Sequence, residues 1–205
     1  MTTEQAIDAF LAGLRQTSPL EGLSVALGLA YALLAVWRSR WCWVAGGVSS
    51  AILIYLALQA RLPMQAALQV YYVVVSVYGF QRWTREEKIT ALAVTNWPLR
   101  SHVLGCLATV LLSALTARWL ASSTQAAWPF LDSLTTWGSL LATWLTARVK
   151  LENWLYWLAI DSTLAFLFGA QGLYFVAALS IVYLAFSAVG FMQWLKIYRT
   201  PAPAS

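Results

Sequence analysis

The chain has 205 residues, of which 60% are hydrophobic and only 10% charged, with a formal net charge of +5. Charge this sparse, gathered between long apolar runs, excludes a water-soluble globular domain and leaves a bilayer as the fitting solvent. The basic excess does not point to nucleic acid, because its members are distributed by membrane side and form no continuous patch. In chain order, residues 1–19 carry Glu4, Asp8 and Arg15 between apolar positions at helical spacing, which predicts a short interfacial helix. Seven stretches then follow at 20–36, 41–59, 63–82, 102–121, 129–147, 152–169 and 173–195, each near the ~20 residues that a helix needs to span hydrocarbon. Unpaired backbone groups are not tolerated in lipid, so these stretches must be helices, and their continuous hydrophobicity excludes a barrel. Residues 198–205 read as a disordered tail.

The run from Trp43 to Trp83 reappears 111 positions later, from Trp154 to Trp194. An ungapped overlay gives identities at 12 of 41 positions, among them Tyr72/Tyr183, Ser76/Ser187, Gly79/Gly190 and Trp83/Trp194. Both copies enter the membrane from a basic connection, so the repeat is parallel, and an odd number of helices must join its halves. The fold class is therefore an all-α integral membrane protein with seven transmembrane helices in a 3+1+3 parallel-repeat arrangement. Its first triple-helix unit is 20–83, its loop and linker helix 84–128, and its second unit 129–197. Ten Lys and Arg residues, including Arg38, Arg82, Arg148 and Lys196, share one side against three, Arg15, Arg61 and Arg118, on the other. The positive-inside rule puts the N-terminus outside and the C-terminus in the cytoplasm. Cys42 and Cys106 fall near the cytoplasmic side and read as reduced packing residues.

The sixth span concentrates the polar signal. Trp154, Trp157 and Asp161 share a helical face, and Asn153 stands at i, i+4 and i+8 with Trp157 and Asp161. Asp161 falls near mid-membrane, where a lone carboxylate must face a cavity or a partner. A structural hydrogen bond would also account for it, and an aromatic belt at the interface would account for Trp154. In the third and seventh spans, Gln69, Tyr72 and Tyr183 are candidates for substrate contact, while Ser76, Gly79, Ser187 and Gly190 read as helix-packing positions. Thr136 of the fifth span completes the candidate set. Aromatic rings, neutral hydrogen-bonding groups and one buried acid together suit an aromatic, hydroxylated and cationic small molecule.

The segments Trp41-Cys42-Trp43, Tyr78-Gly79-Phe80-Gln81-Arg82-Trp83 and Glu152-Asn153-Trp154-Leu155-Tyr156-Trp157 with Asp161 resemble the PnuC family of bacterial vitamin transporters. Val44-Ala45 and Phe80 depart from that family's usual pattern. The resemblance implies a fold related to full-length SWEET transporters and uptake of nicotinamide riboside across the inner membrane by facilitated diffusion. It further implies trapping by a separate cytoplasmic nucleoside kinase, a homotrimeric assembly, and no cofactor. It places substrate contacts on Asn153, Trp154, Trp157 and Gln69. Thiamine, also aromatic and cationic, is the alternative cargo, and a non-transporting membrane sensor is the more distant one. An enzyme is not expected: His102 is the sole histidine and has no acid or cysteine cluster to form a metal site or triad.

Overall fold

A computed structural model describes residues 3–61, 63–90, 92–123 and 128–200. Of the tail expected at 198–205, Tyr198 and Arg199 instead complete the last helix, where Asn96 Nδ2 donates to Tyr198 OH, and residues 201–205 lie outside the described residues. The described elements are α1 (Thr3–Gln16), α2 (Pro19–Val36), α3 (Trp41–Gln59), α4 (Pro63–Thr90), α5 (Leu99–Ser123), α6 (Pro129–Ala147), α7 (Asn153–Ala170) and α8 (Tyr174–Arg199). By length and composition, α2, α3, α5 and α8 are apolar enough to cross a membrane. The entry into α2 is fixed by a capping box, with Glu21 N–H donating to Ser18 Oγ (3.3 Å), Ser18 N–H donating to Glu21 Oε2 (2.6 Å), and Pro19 at the first helical position.

Backbone geometry follows the 111-residue offset of the sequence. Left-handed residues stand at Arg38 and Val149 (φ 55° and 54°) and again at Arg61 and Gly172 (φ 56° and 76°), and the two members of each pair are 111 apart. After α2, Arg38 N–H donates to Ala35 O and Ser39 N–H to Leu34 O; after α6, Val149 N–H donates to Thr146 O and Lys150 N–H to Leu145 O. Both are Schellman ends, in which a left-handed residue lets two further N–H groups satisfy the last helical carbonyls. The connection out of α2 therefore turns the chain as the connection out of α6 does.

In each triplet the middle helix packs on both neighbours: α3 on α2 and α4, α7 on α6 and α8. The triplets meet where α8 packs on α2 and α4 on α6, which closes six helices into a ring. The helix α5 packs outside this ring on α6, and α1 packs on α8, where Phe10 meets the Phe175 ring at 5.7 Å. At the basic end, the core is a layer of four tryptophans. Trp43 meets Trp83 edge-on at 5.4 Å, Trp154 meets Trp194 edge-on at 5.4 Å, and Trp83 and Trp194 are 6.2 Å apart across the junction. The last helix of each triplet donates an indole N–H to the opposite triplet: Trp83 Nε1 to Ala147 O (3.2 Å), and Trp194 Nε1, shared between Val36 O (3.1 Å) and Ala35 O (3.2 Å). A Cβ at Gly190 would lie 2.6 Å from the Trp154 indole, and one at Gly79 would collide with Trp43. Only glycine lets these rings seat so close to the helix backbone. Beneath the layer, the segment between α4 and α5 buries Leu92 and Val94 and is tied to the α6–α7 connection through Thr95 N–H to Val149 O and Leu151 N–H to Thr95 O.

Candidate functional site

The helix ring encloses a cavity of about 300 Å³ that receives side chains from all six of its helices. Trp43 and Trp154 form its floor, so the tryptophan layer separates it from the basic end. Trp154 is only 4% exposed and packs in this layer, which removes the aromatic-belt reading for it. Gln69, Tyr72, Trp154, Trp157, Asp161 and Tyr183 all line the cavity. The sequence therefore placed six of its eight candidates together.

Two candidates stand elsewhere. Asn153 is fully buried at the first residue of α7 and does not line the cavity. Its Nδ2 donates to Lys150 O (2.6 Å) and its Oδ1 accepts from Thr146 Oγ1 (3.0 Å), so its amide braces the α6–α7 connection and holds a residue that does face the cavity. The helical spacing that aligned it with Trp157 was correct, but the preceding turn folds back under the helix start and takes up the amide. Thr136 also lies off the cavity, with its hydroxyl donating to Asp132 O at 2.9 Å. Ser139 and Thr143, on the same stripe of α6, are the hydroxyls at cavity depth.

Asp161 is 5% exposed, and its Oδ2 accepts a hydrogen bond from Ser187 Oγ at 2.9 Å. Ser187 and Ser76 both line the cavity, so the packing role read for them is incomplete, whereas Gly79 and Gly190 do serve packing. Cys42 is buried, as a packing residue should be, but Cys106 is exposed on α5. Among the described residues no Lys or Arg lines the cavity, and Asp161 is the one formally charged side chain there. On the α6 wall, Ser139 Oγ donates to Thr135 O (2.7 Å) and Thr143 Oγ1 to Ser139 O (2.7 Å), so these hydroxyls spend their protons within the helix and can offer lone pairs to a ligand. Trp157 Nε1 reaches Thr146 Oγ1 at 3.4 Å. Among the described residues no three His, Cys, Asp or Glu side chains gather as a metal site. The chemistry on offer is recognition: flat apolar faces, neutral acceptors and one carboxylate.

The profile of the nicotinamide mononucleotide transporter family matches residues 18–196, which covers the helix ring except the last residues of α8. The chain belongs to the nicotinamide mononucleotide transporter (PnuC) family. It is 27% identical over 185 residues to the riboflavin/roseoflavin transporter RibM of Streptomyces davaonensis, covering 86% of this chain and 85% of that protein. The crystal structure of the vitamin B3 transporter PnuC superposes with a TM-score of 0.71 at 19% identity, covering 97% of this chain and 93% of that one, and shows a shared fold. This PnuC-family chain is thus a multi-pass membrane transport protein for a small molecule, and its family is one of carriers rather than enzymes.

Proposed function

We propose that this protein carries nicotinamide riboside across the cytoplasmic membrane by facilitated diffusion, with the two helix triplets rocking about the central cavity. The observation that carries the reading is one carboxylate, Asp161, set among aromatic rings in a cavity without a basic side chain. A pyridinium ring satisfies the acid and stacks on Trp157, a contribution of about 0.5–2 kcal/mol for the cation and ring together. Ribose hydroxyls find acceptors on Ser139 and Thr143, and Gln69 can pair with a carboxamide. The mononucleotide in the family's description carries a phosphate, which would face Asp161 with no cation to meet it. Riboflavin, named for RibM, has a neutral ring system that would leave the acid uncompensated. The cavity volume is also at the small end of the ~300–1,000 Å³ usual for ligand sites, which favours a single-ring nucleoside.

All seven helices α2–α8 cross the bilayer in this reading, in the 3+1+3 order, with α5 as the extra crossing that keeps the two triplets parallel and the N-terminus outside. The lower hydropathy of α4, α6 and α7 has a local cause: Gln69, Ser139, Thr143 and Asp161 face the cavity and not lipid. Parallel repeats with a site between their halves suit alternating access. Diffusion through such a carrier only equilibrates its cargo, so net uptake depends on a cytoplasmic kinase. The phosphate it adds turns the cargo into an anion that the acidic cavity rejects.

Titration of the purified chain with nicotinamide riboside, its mononucleotide, thiamine and riboflavin tests this reading, followed by uptake into proteoliposomes. Binding of the riboside with the mononucleotide excluded, and flux indifferent to sodium and proton gradients, is the expected result. Selective binding of thiamine or riboflavin would transfer the protein to that cargo, and binding without flux would make it a sensor.

A further inference from the structure

The internal repeat exposes a substitution pattern inside the cavity. Position 157 is tryptophan in the second copy, and its counterpart 111 residues earlier is Gly46; position 142 is alanine, and its counterpart is Tyr31. In the first copy, the Tyr31 ring lies directly over Gly46, where a Cβ would come within 2.8 Å of Tyr31 Cδ2. Each triplet thus presents one large ring to the cavity at this place, from its first helix in one copy and from its middle helix in the other. Tyr31 stands five residues before the end of α2 and Trp157 four after the start of α7, so both rings occupy one level, roughly 6–8 Å in from the tryptophan end.

Tyr31 is also held in place on one side only. Its ring meets Trp43 edge-on at 5.7 Å, while its hydroxyl is buried, lies toward Thr146 as a hydrogen-bonding neighbour, and makes no hydrogen bond of full geometry to it. Thr146 is a limited acceptor for it: that hydroxyl gives its one proton to Ala142 O (2.9 Å) or Asn153 Oδ1 (3.0 Å) and already faces the Trp157 N–H at 3.4 Å, so a single lone pair is left for Tyr31. A buried phenol donor without an acceptor costs free energy unless something else accepts from it. We infer that Tyr31 is a substrate-binding residue that determines specificity, donating its phenol proton to a carbonyl oxygen on the ligand's aromatic ring while that ring sits between Tyr31 and Trp157. This rests on the nicotinamide riboside reading, whose carboxamide supplies the carbonyl. It selects against thiamine, whose aminopyrimidine carries no carbonyl.

The test is calorimetric titration of the full chain and its Tyr31→Phe variant with nicotinamide riboside and with the riboside of unsubstituted pyridine. The substitution keeps the ring over Gly46 and removes only the hydroxyl. The unaltered chain is expected to prefer the carboxamide-bearing riboside about tenfold, and Tyr31→Phe to weaken that ligand by about tenfold while leaving the pyridine riboside unchanged. Equal affinity of the unaltered chain for both ribosides overturns the inference without any variant. An unchanged Tyr31→Phe, or equal losses for both ligands, overturns the Tyr31 role alone and leaves the riboside reading standing. Binding of neither riboside by the unaltered chain overturns both.

Discussion

The tryptophan layer at the basic end and the cavity directly above it are built from the same repeat, yet they treat it in opposite ways. In the layer the two copies match residue for residue: Trp43 and Trp154, Gly79 and Gly190, Trp83 and Trp194, with both edge-on pairs at 5.4 Å. In the cavity Tyr72/Tyr183 and Ser76/Ser187 still match, but other counterparts diverge, with Ser50 opposite Asp161, Gly46 opposite Trp157, Gln69 opposite Ser180 and Gly28 opposite Ser139. The layer joins the triplets through reciprocal indole-to-carbonyl bonds, and a joint between like halves works best when it is symmetric. The cavity must hold a ligand with two different ends, and a symmetric lining could not orient it. Duplication supplied the frame, and divergence within the frame supplied the specificity.

If the layer is symmetric in energy as well as geometry, then Gly79→Ala and Gly190→Ala must behave alike. Each forces an indole away from its helix, and each should destabilise the purified protein by about 1–3 kcal/mol, read as matched losses of melting temperature. One severe and one silent variant would break the equivalence. Cavity variants should behave unalike: Trp157→Ala is expected to weaken riboside binding by roughly 1–3 kcal/mol through lost stacking and burial, without a counterpart effect from Gly46. Normal binding by a folded Trp157→Ala chain would take that ring out of the site. Smaller again, Trp83→Phe and Trp194→Phe each remove one inter-triplet bond donor and should cost about 1 kcal/mol apiece in stability with riboside affinity kept. The smallest effect belongs to Thr136→Val, which lies off the cavity and should change binding by no more than about 0.5 kcal/mol. A large loss there would place a second ligand contact above the cavity.

The sequence made the helices readable because apolar length is a strong signal, and α2, α3 and α6 end within a residue or two of the spans read from it. The extension of α4 to Thr90 was not readable, since Arg82, Arg85, Glu86, Glu87 and Lys88 look like the end of a span although charge does not stop a helix outside lipid. Within the site, Asp161 announced itself by the cost of an acid at mid-span. Thr136 misled because it shares a helical stripe with Thr143. Seven residues return to the same face but shift position by about 10 Å along the axis, and depth decides which of the two meets the cavity. Ser76 and Ser187 were hidden by chemistry that serves packing and ligand contact equally well. Tyr31 left a trace only in the comparison of the copies, as a large ring where its counterpart is alanine, beside a glycine where the counterpart is a large ring.

In the proposed reading, Asp161 marks the cavity for a cation. Titrating the Asp161→Asn variant and the unaltered chain with nicotinamide riboside and with its neutral, reduced dihydropyridine form tests this most directly. The account expects the variant to lose about tenfold or more in affinity for the charged riboside while binding the neutral form nearly as before, since the amide keeps the hydrogen bond from Ser187 and removes only the charge. Equal losses for both forms would contradict it, and would assign Asp161 to holding α7 against α8.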